Sequence, residues 1–502
     1  MLLIRDGRVL DDASAELVRA NILIENERIV DVGPNVVAPA GSHELDAEDR
    51  IVIPGLVNAH THAHNNLMKG LGDNWTLEDL RNHASALYAN RTPEEQYLSA
   101  AIGALEMLKT GCTAAYDQFA AIPVPTEEGV EAVVRAYDDV GLRAVVAPSI
   151  ADDTFYRAVP GLLEVMPADL RQAVESIERA PTDGLLMLTE KAIRRWDKHA
   201  GGRIRIAAAP IIPGECSEAL LIGCSRLVHQ YGVGLHTHLA ETKVQAVSSL
   251  QRWGETLVSR LAALDLLSPQ FVGGHGVWLT NDDIQTMADY GASVTHNPAS
   301  NLKLGSGIAP IREMLDSGVT VGLGSDGSMS SDNQNMFEAM RFAALVGKVR
   351  FPHQPERWVG ARTAWEMATT VGARVLGMGD DIGAVAPGRM ADLVLLKGDS
   401  VFLRPMNDPV NALVYAETGA SVDSVLVGGR IVLEHGRVLT VNEKDLFARA
   451  QEAAERSRAR NSAAWILAER LAPYVAAACR SAVMTSYPVN RYAVPIEGIV
   501  ND

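Results

Sequence analysis

Eight short β-type runs, spaced through the middle of the chain, limit its fold more than any other feature. They are IVIPGLVNAHTH, CTAAYDQ, RAVVAPSI, RIRIAAAP, VGLHTHLAE, FVGGHG, SVTHNP and TVGLGSDG. Most of the gaps carry helical periodicity, as in EEQYLSAAIGALEMLKT, GVEAVVRAYDDVG and VQAVSSLQRWGETLVSRLAAL. Strand–helix alternation repeated eight times predicts an α/β fold, a parallel (β/α)8 barrel of the TIM type. The gap between the third and fourth runs is unusually long. It holds DLRQAVESIERA and LLMLTEKAIRRWDKHA, which predicts extra helical structure near the barrel mouth.

Both chain ends have a different texture. Residues 2–53 read as short strands (LLIRDGRVL, ANILIENERIVDVG, EDRIVIPG), and similar strands return in GRMADLVLLKG and VDSVLVGGRIVLEHGRVL. Neither set stands alone. The expected arrangement is a small composite β-sandwich of residues 1–53 plus 385–440, with the barrel inserted as residues 54–384. Residues 441–502 follow as a helical segment and an extended tail, SYPVNRYAVPIEGIVND, expected to dock on a surface or a neighbour. A chain of 502 residues is long enough for this division.

Charge narrows the partners. The 45 basic and 62 acidic residues give −17, which argues against a polyanion such as nucleic acid. No apolar run reaches membrane-spanning length, and MLLIRD lacks a signal peptide's charged start and apolar stretch. Cys112, Cys216, Cys224 and Cys479 show no ligand spacing and read as buried free thiols. The expectation is a cytoplasmic enzyme with no nucleic-acid or membrane partner.

In a barrel of this kind the active site lies at the C-terminal strand ends. His60 and His62 end the first run, and His236, His238 and Glu241 the fifth. His275 ends the sixth and Asp326 the eighth. Alternate residues of a strand share a face, so His60 and His62 form either a chelate or a polar patch. Four distant runs aiming such groups at one mouth favour the chelate. His238, nearer its strand end than His236, is better placed for a metal, and His236 reads as a deeper, hydrogen-bonded histidine. His64, His296 and Asp117 sit at strand ends too, where a pocket role and a structural role are both open. Trp75 in the first loop lies over a substrate ring or simply packs. Three imidazoles and one carboxylate would let a divalent cation acidify a water. Asp326 could take its proton, Glu241 relay one to the leaving side, and His275 orient the nucleophile or polarise the substrate. The fourth run has no lysine to bridge two metals, so one metal is expected.

PGLVNAHTH, HTHLAET, GGHGVWLT, HNPASNLKLGSGIAPI and GLGSDGSMSSDN, in this order, resemble the amidohydrolase superfamily over residues 1 to about 440. The branch looks like methylthioadenosine/S-adenosylhomocysteine deaminases and s-triazine hydrolases of the atrazine chlorohydrolase kind. The resemblance implies His60, His62, His238 and Asp326 as ligands of one divalent metal, zinc or sometimes iron, with Glu241 and His275 as the acid–base pair. It implies hydrolytic deamination of an amino-substituted nitrogen heterocycle of purine, pyrimidine, pterin or s-triazine type. The alternatives are dechlorination or dealkylamination of an s-triazine-like ring, or hydrolysis of a cyclic amide. Asn65 stands where several relatives place glutamine, and Asn335 where nucleoside-deaminase relatives often show aspartate. Asn65, Trp75, Asp117, Ser330 and Asn335 are therefore the candidate substrate contacts. The expected partner is a small heterocyclic substrate, and the expected assembly a homo-oligomer, dimeric or higher.

Overall fold

The structure, a computed structural model, describes residues 1–11 and 13–493. Its centre is a barrel of eight parallel strands: Leu56–Thr61, Cys112–Asp117, Arg143–Val146, Ile204–Pro210, Gly234–Leu239, Phe271–His275, Ser293–His296 and Thr320–Leu323. These are the eight runs of the sequence. The barrel closes where Thr61 bridges Asp326 and the Asp326 N–H donates to the His60 carbonyl at 2.9 Å. The closing bond thus also brings the ends of strands one and eight together. Strand one pairs irregularly with strand two between Asn58 and Thr61. Such irregularities re-aim side chains beside active sites.

Helices cover the barrel, and their starts are written in the sequence. TPEE opens Pro93–Lys109: Thr92 accepts from the Glu95 N–H, Glu95 accepts from the Thr92 N–H, and Pro93 occupies the first turn. Such a cap contributes about 1 kcal/mol.

Nine strands from the two chain ends form a second sheet, the expected companion to the barrel. Arg50–Pro54 runs antiparallel to Leu393–Lys397, with Val52 opposite Leu395, so this pair seams the ends together. Ile4, Ile22, Val52, Leu393 and Leu426 pack its core. The chain crosses from sheet to barrel at Gly55, where a Cβ would collide with the Thr113 side chain. A buried Arg143–Asp392 ion pair at 2.9 Å fixes barrel strand three to the sheet.

The long third gap is helical, and its first helices pack on the C-terminal ones. Leu162, Leu170 and Val174 meet Leu471 and Val475 of the helix Ser462–Met484. The tail then lies along the loops after strands six and seven. The Tyr487 hydroxyl donates to the Trp278 carbonyl at 3.1 Å, and the Ile308 N–H to that of Arg491 at 2.8 Å. Residues 494–502 of the expected tail lie outside the described residues.

Candidate metal centre

Strand one ends at Thr61, and the chain turns at once into the short helix Ala63–Met68. The turn is latched from strand two, because Asp117 Oδ1 accepts the Ala63 N–H at 2.8 Å. His62 is left at the mouth with Nδ1 donating to the Gln118 carbonyl at 2.8 Å. On strand five His238 Nδ1 donates to the Ile211 carbonyl at 2.7 Å. With both Nδ1 protons spent, the two Nε2 lone pairs face each other 3.2 Å apart. Two neutral imidazoles repel in that arrangement unless a cation lies between them. His60 Nε2, buried and without a partner, lies 3.7 Å from Asp326 Oδ1, and His62 Nε2 is 3.1 Å from the same oxygen. The ligand atoms of His60, His62 and His238 lie within 4.8 Å of one another, as do those of His60, His275 and Asp326. Three nitrogens and a carboxylate, each imidazole oriented through its other nitrogen, suit a zinc-type ion.

Glu241 and His275 stand beside this set. The Glu241 N–H donates to Gln245 Oε1 at 2.9 Å, while its Oε2 is buried with no partner. Glu241 Oε1 is 3.7 Å from His275 Nδ1, which donates to Asn301 Oδ1 at 2.9 Å. His275 Nε2 therefore offers a lone pair toward Asp326 Oδ2, 3.8 Å away. Burial, then the Asp326 and Glu78 carboxylates, hold Glu241 well above the usual carboxylate range. Burial pushes Asp326 the same way, but His62, His275 and His60 outweigh it and hold it well below. Burial lowers His62, and its contacts with Asp326 more than offset that.

Three strand-end residues have left-handed backbone: Ala240 (φ 45°), His275 (φ 70°) and Asp326 (φ 62°). Such a backbone costs on the order of 1–3 kcal/mol per residue and persists where the surroundings enforce it. Here it turns Glu241, His275 and Asp326 out of the strand direction at the mouth.

The remaining candidates divide. His236 lies deeper, its Nε2 hydrogen-bonded to His60 Nδ1 at 3.0 Å. His64 follows the strand rather than continuing it; its Nδ1 accepts the Ala120 N–H at 3.1 Å and its ring meets Tyr88 at 4.6 Å. His296 is buried with both ring nitrogens unpartnered, and burial lowers it to about 3. Asp117, raised to about 6 by burial, uses Oδ1 for the Ala63 latch. Asn65 is buried against Gly327, beside Asp326, with its Oδ1 unpartnered. Trp75 stacks on His83 at 4.3 Å and joins an apolar wall with Met68, Leu87, Ile211 and Met329. The Ser330 hydroxyl bonds the Gly327 backbone and shapes the turn after Asp326. Asn335 is engaged with backbone groups. Its Oδ1 caps the helix Met336–Val346 through the Phe337 N–H at 3.0 Å, and its Nδ2 donates to the Thr418 carbonyl at 2.7 Å. Asn301 and Gln334 escaped the sequence reading. Gln334 accepts from the Thr61 hydroxyl at 2.6 Å and donates to the Asp326 carbonyl at 3.0 Å, so it clamps the barrel seam. Neither has a distinguishing spacing.

Comparison with known proteins completes the picture. Residues 51–432 match the model of the Amidohydrolase family. The chain is 34% identical over 439 residues to the 5-methylthioadenosine/S-adenosylhomocysteine deaminase of Syntrophomonas wolfei, covering 87% of this chain and 94% of that protein. It is 33% identical over 455 residues to the 5'-deoxyadenosine deaminase of Methanothermobacter thermautotrophicus, covering 90% and 98%. Among solved structures, the zinc complex of atrazine chlorohydrolase TrzN from Arthrobacter aurescens TC1 superposes with TM-score 0.81 at 29% identity, covering 90% of this chain and 100% of that one. An adenosine deaminase from Xanthomonas campestris with bound zinc gives 0.78 at 27% identity, covering 91% and 98%.

Proposed function

The chain belongs to the amidohydrolase family, and from that premise we propose a metal-dependent hydrolase that removes the amino group of a nitrogen heterocycle of purine, pyrimidine, pterin or s-triazine type. The observation that carries this reading is the pair of anchored histidines, His62 and His238, whose lone pairs meet 3.2 Å apart beside Asp326. His60, His62, His238 and Asp326 would hold one divalent ion, zinc by the precedent of the zinc-bound neighbours. An ion in that donor set supplies the Lewis acidity that brings the pKa of water down to near neutrality.

The chain's own groups then move the protons. As the water oxygen bonds to the ring carbon, Asp326 takes one of its protons and His275 Nε2 accepts a hydrogen bond that orients it. Glu241, whose carboxyl burial holds well above the usual carboxylate range, gives a proton to the adjacent ring nitrogen. Asp326 passes its proton to the amino group, the carbon–nitrogen bond breaks and ammonia leaves. The remaining hydroxyl proton returns to Glu241, leaving a ring carbonyl. Positioned acid–base groups of this kind contribute roughly 10²- to 10⁴-fold.

The likeness to atrazine chlorohydrolase supports a second reading, in which the same water displaces chloride or an alkylamine. Four buried free thiols fit the expected cytoplasmic setting. The test is to supply the zinc-loaded enzyme with aminopurines, aminopyrimidines, amino-s-triazines and their chloro counterparts. Ammonia release is expected; chloride release alone would replace the first reading with the second.

A further inference from the structure

We infer that the C-terminal segment, through Tyr487, Arg491 and Tyr492, positions the acid–base pair Glu241 and His275. The inference rests on the hydrolase reading above, which gives that pair its task. Its hub is Trp278, three residues past His275 and fully buried. The Trp278 N–H donates to the Ala240 carbonyl at 2.8 Å, so it holds the left-handed turn that precedes Glu241. Its indole Nε1 donates to the Ser306 carbonyl at 2.8 Å. The Ser306 N–H donates in turn to the Asn301 carbonyl at 2.9 Å, and Asn301 Oδ1 orients His275. One tryptophan thus joins the loops after strands five, six and seven.

The C-terminal segment fixes that tryptophan from outside. The Tyr487 hydroxyl donates to the Trp278 carbonyl, and the Tyr492 ring meets the indole edge-on at 4.8 Å. Arg491, only 6% exposed, ties loops six and seven together. Its Nη2 donates to the Leu279 carbonyl at 2.5 Å, and its own carbonyl accepts the Ile308 N–H at 2.8 Å. The approach is so close that a Cβ on Gly307, at φ 120°, would lie 2.9 Å from the Arg491 carbonyl oxygen. Lys243, two residues past Glu241, adds a second tie by donating Nζ to the Val483 carbonyl at 2.6 Å. The imidazole ligands take their orientation elsewhere: His62 from Gln118, His238 from Ile211 and His60 from His236. Loosening the segment should therefore displace the acid–base pair and leave the metal in place.

The test is Arg491→Ala in the zinc-loaded full chain, read by amide hydrogen exchange, zinc content and steady-state kinetics on the heterocycle of the above panel that reacts fastest. Exchange should quicken in the loops after strands five, six and seven and stay at the wild-type rate in strands one and eight. Zinc should stay at the wild-type level, while kcat falls roughly 10- to 100-fold and KM moves by less than about twofold, the pattern of misplaced catalytic groups. Tyr487→Phe deletes only the hydroxyl bonded to Trp278; it should show the same pattern more weakly, and it decides the matter if the alanine variant does not fold. Unchanged exchange in the three loops, an intact kcat, or zinc lost in step with kcat would overturn the inference. If wild-type protein turns over no heterocycle while the three loops quicken in the variant, the deaminase reading falls and the segment's hold on those loops stands.

Discussion

At the strand ends, His62, His238 and His275 each donate Nδ1 to an oxygen and aim Nε2 into one small volume. In the cleft just above, side chains from several loops meet, and Arg81 there is ion-paired with Glu215. The centre also carries left-handed backbone at Ala240, His275 and Asp326, whereas no described residue lining the cleft has a positive φ. The difference separates two tasks. Directional, strained geometry is held where the barrel's hydrogen bonds can enforce it, and that is where chemistry needs fixed atoms. Selectivity rests on loop surfaces that can change without disturbing the strands.

The largest expected effects fall on the strand ends. His238→Ala removes one of the facing lone pairs and should abolish both metal binding and turnover, whereas His236→Ala, one layer deeper, should keep most of the metal. Elemental analysis of the two purified variants checks this, and the reverse order would place the wrong histidine at the mouth. Next comes Glu241→Gln, expected to retain metal and lose roughly 10²- to 10⁴-fold in kcat. A normal kcat would remove Glu241 from the proton path. Asn301→Ala frees His275 Nδ1 and should cost about 10- to 100-fold in kcat, the scale of losing an orienting partner; an equally large rise in KM with kcat intact would assign Asn301 to binding instead.

The smallest effects fall on the loops and sharpen the contrast. Asn65→Gln should change the kcat/KM ratio of two competing heterocycles by about 1–3 kcal/mol with metal content unaltered. Asn335→Ala should instead lower stability by about 0.5–2 kcal/mol through its lost helix cap, read by denaturant unfolding. A substrate ratio that moves with Asn335 rather than Asn65 would exchange their places.

The same divide explains what was legible in the sequence. Strand ends obey a period of two, so HxH in NAHTH and in HTHLAE points at one mouth from the sequence alone. Strand–helix alternation likewise supplied the barrel, and the split strands at both ends supplied the second sheet. Asn301 and Gln334 were silent because their roles depend on where two loops return to the barrel. Asn335 carries two signals at once: its place in the eighth loop points to the pocket, and an asparagine just before MFEAMRF is also a helix-start signal, which its cap on the helix Met336–Val346 bears out. His64 was open because nothing in AHTHAHNN shows that the strand stops at Thr61 and a tight helical turn begins. The Arg81–Glu215 pair joins residues 134 apart and left no local trace.

The central claim is that one divalent ion holds His60, His62, His238 and Asp326 together. Its most direct test is metal content against activity. The account predicts about one equivalent of zinc per chain by elemental analysis, removed by a chelator together with turnover and restored with it by added zinc. Two tightly bound equivalents, or full activity in metal-free protein, would contradict it.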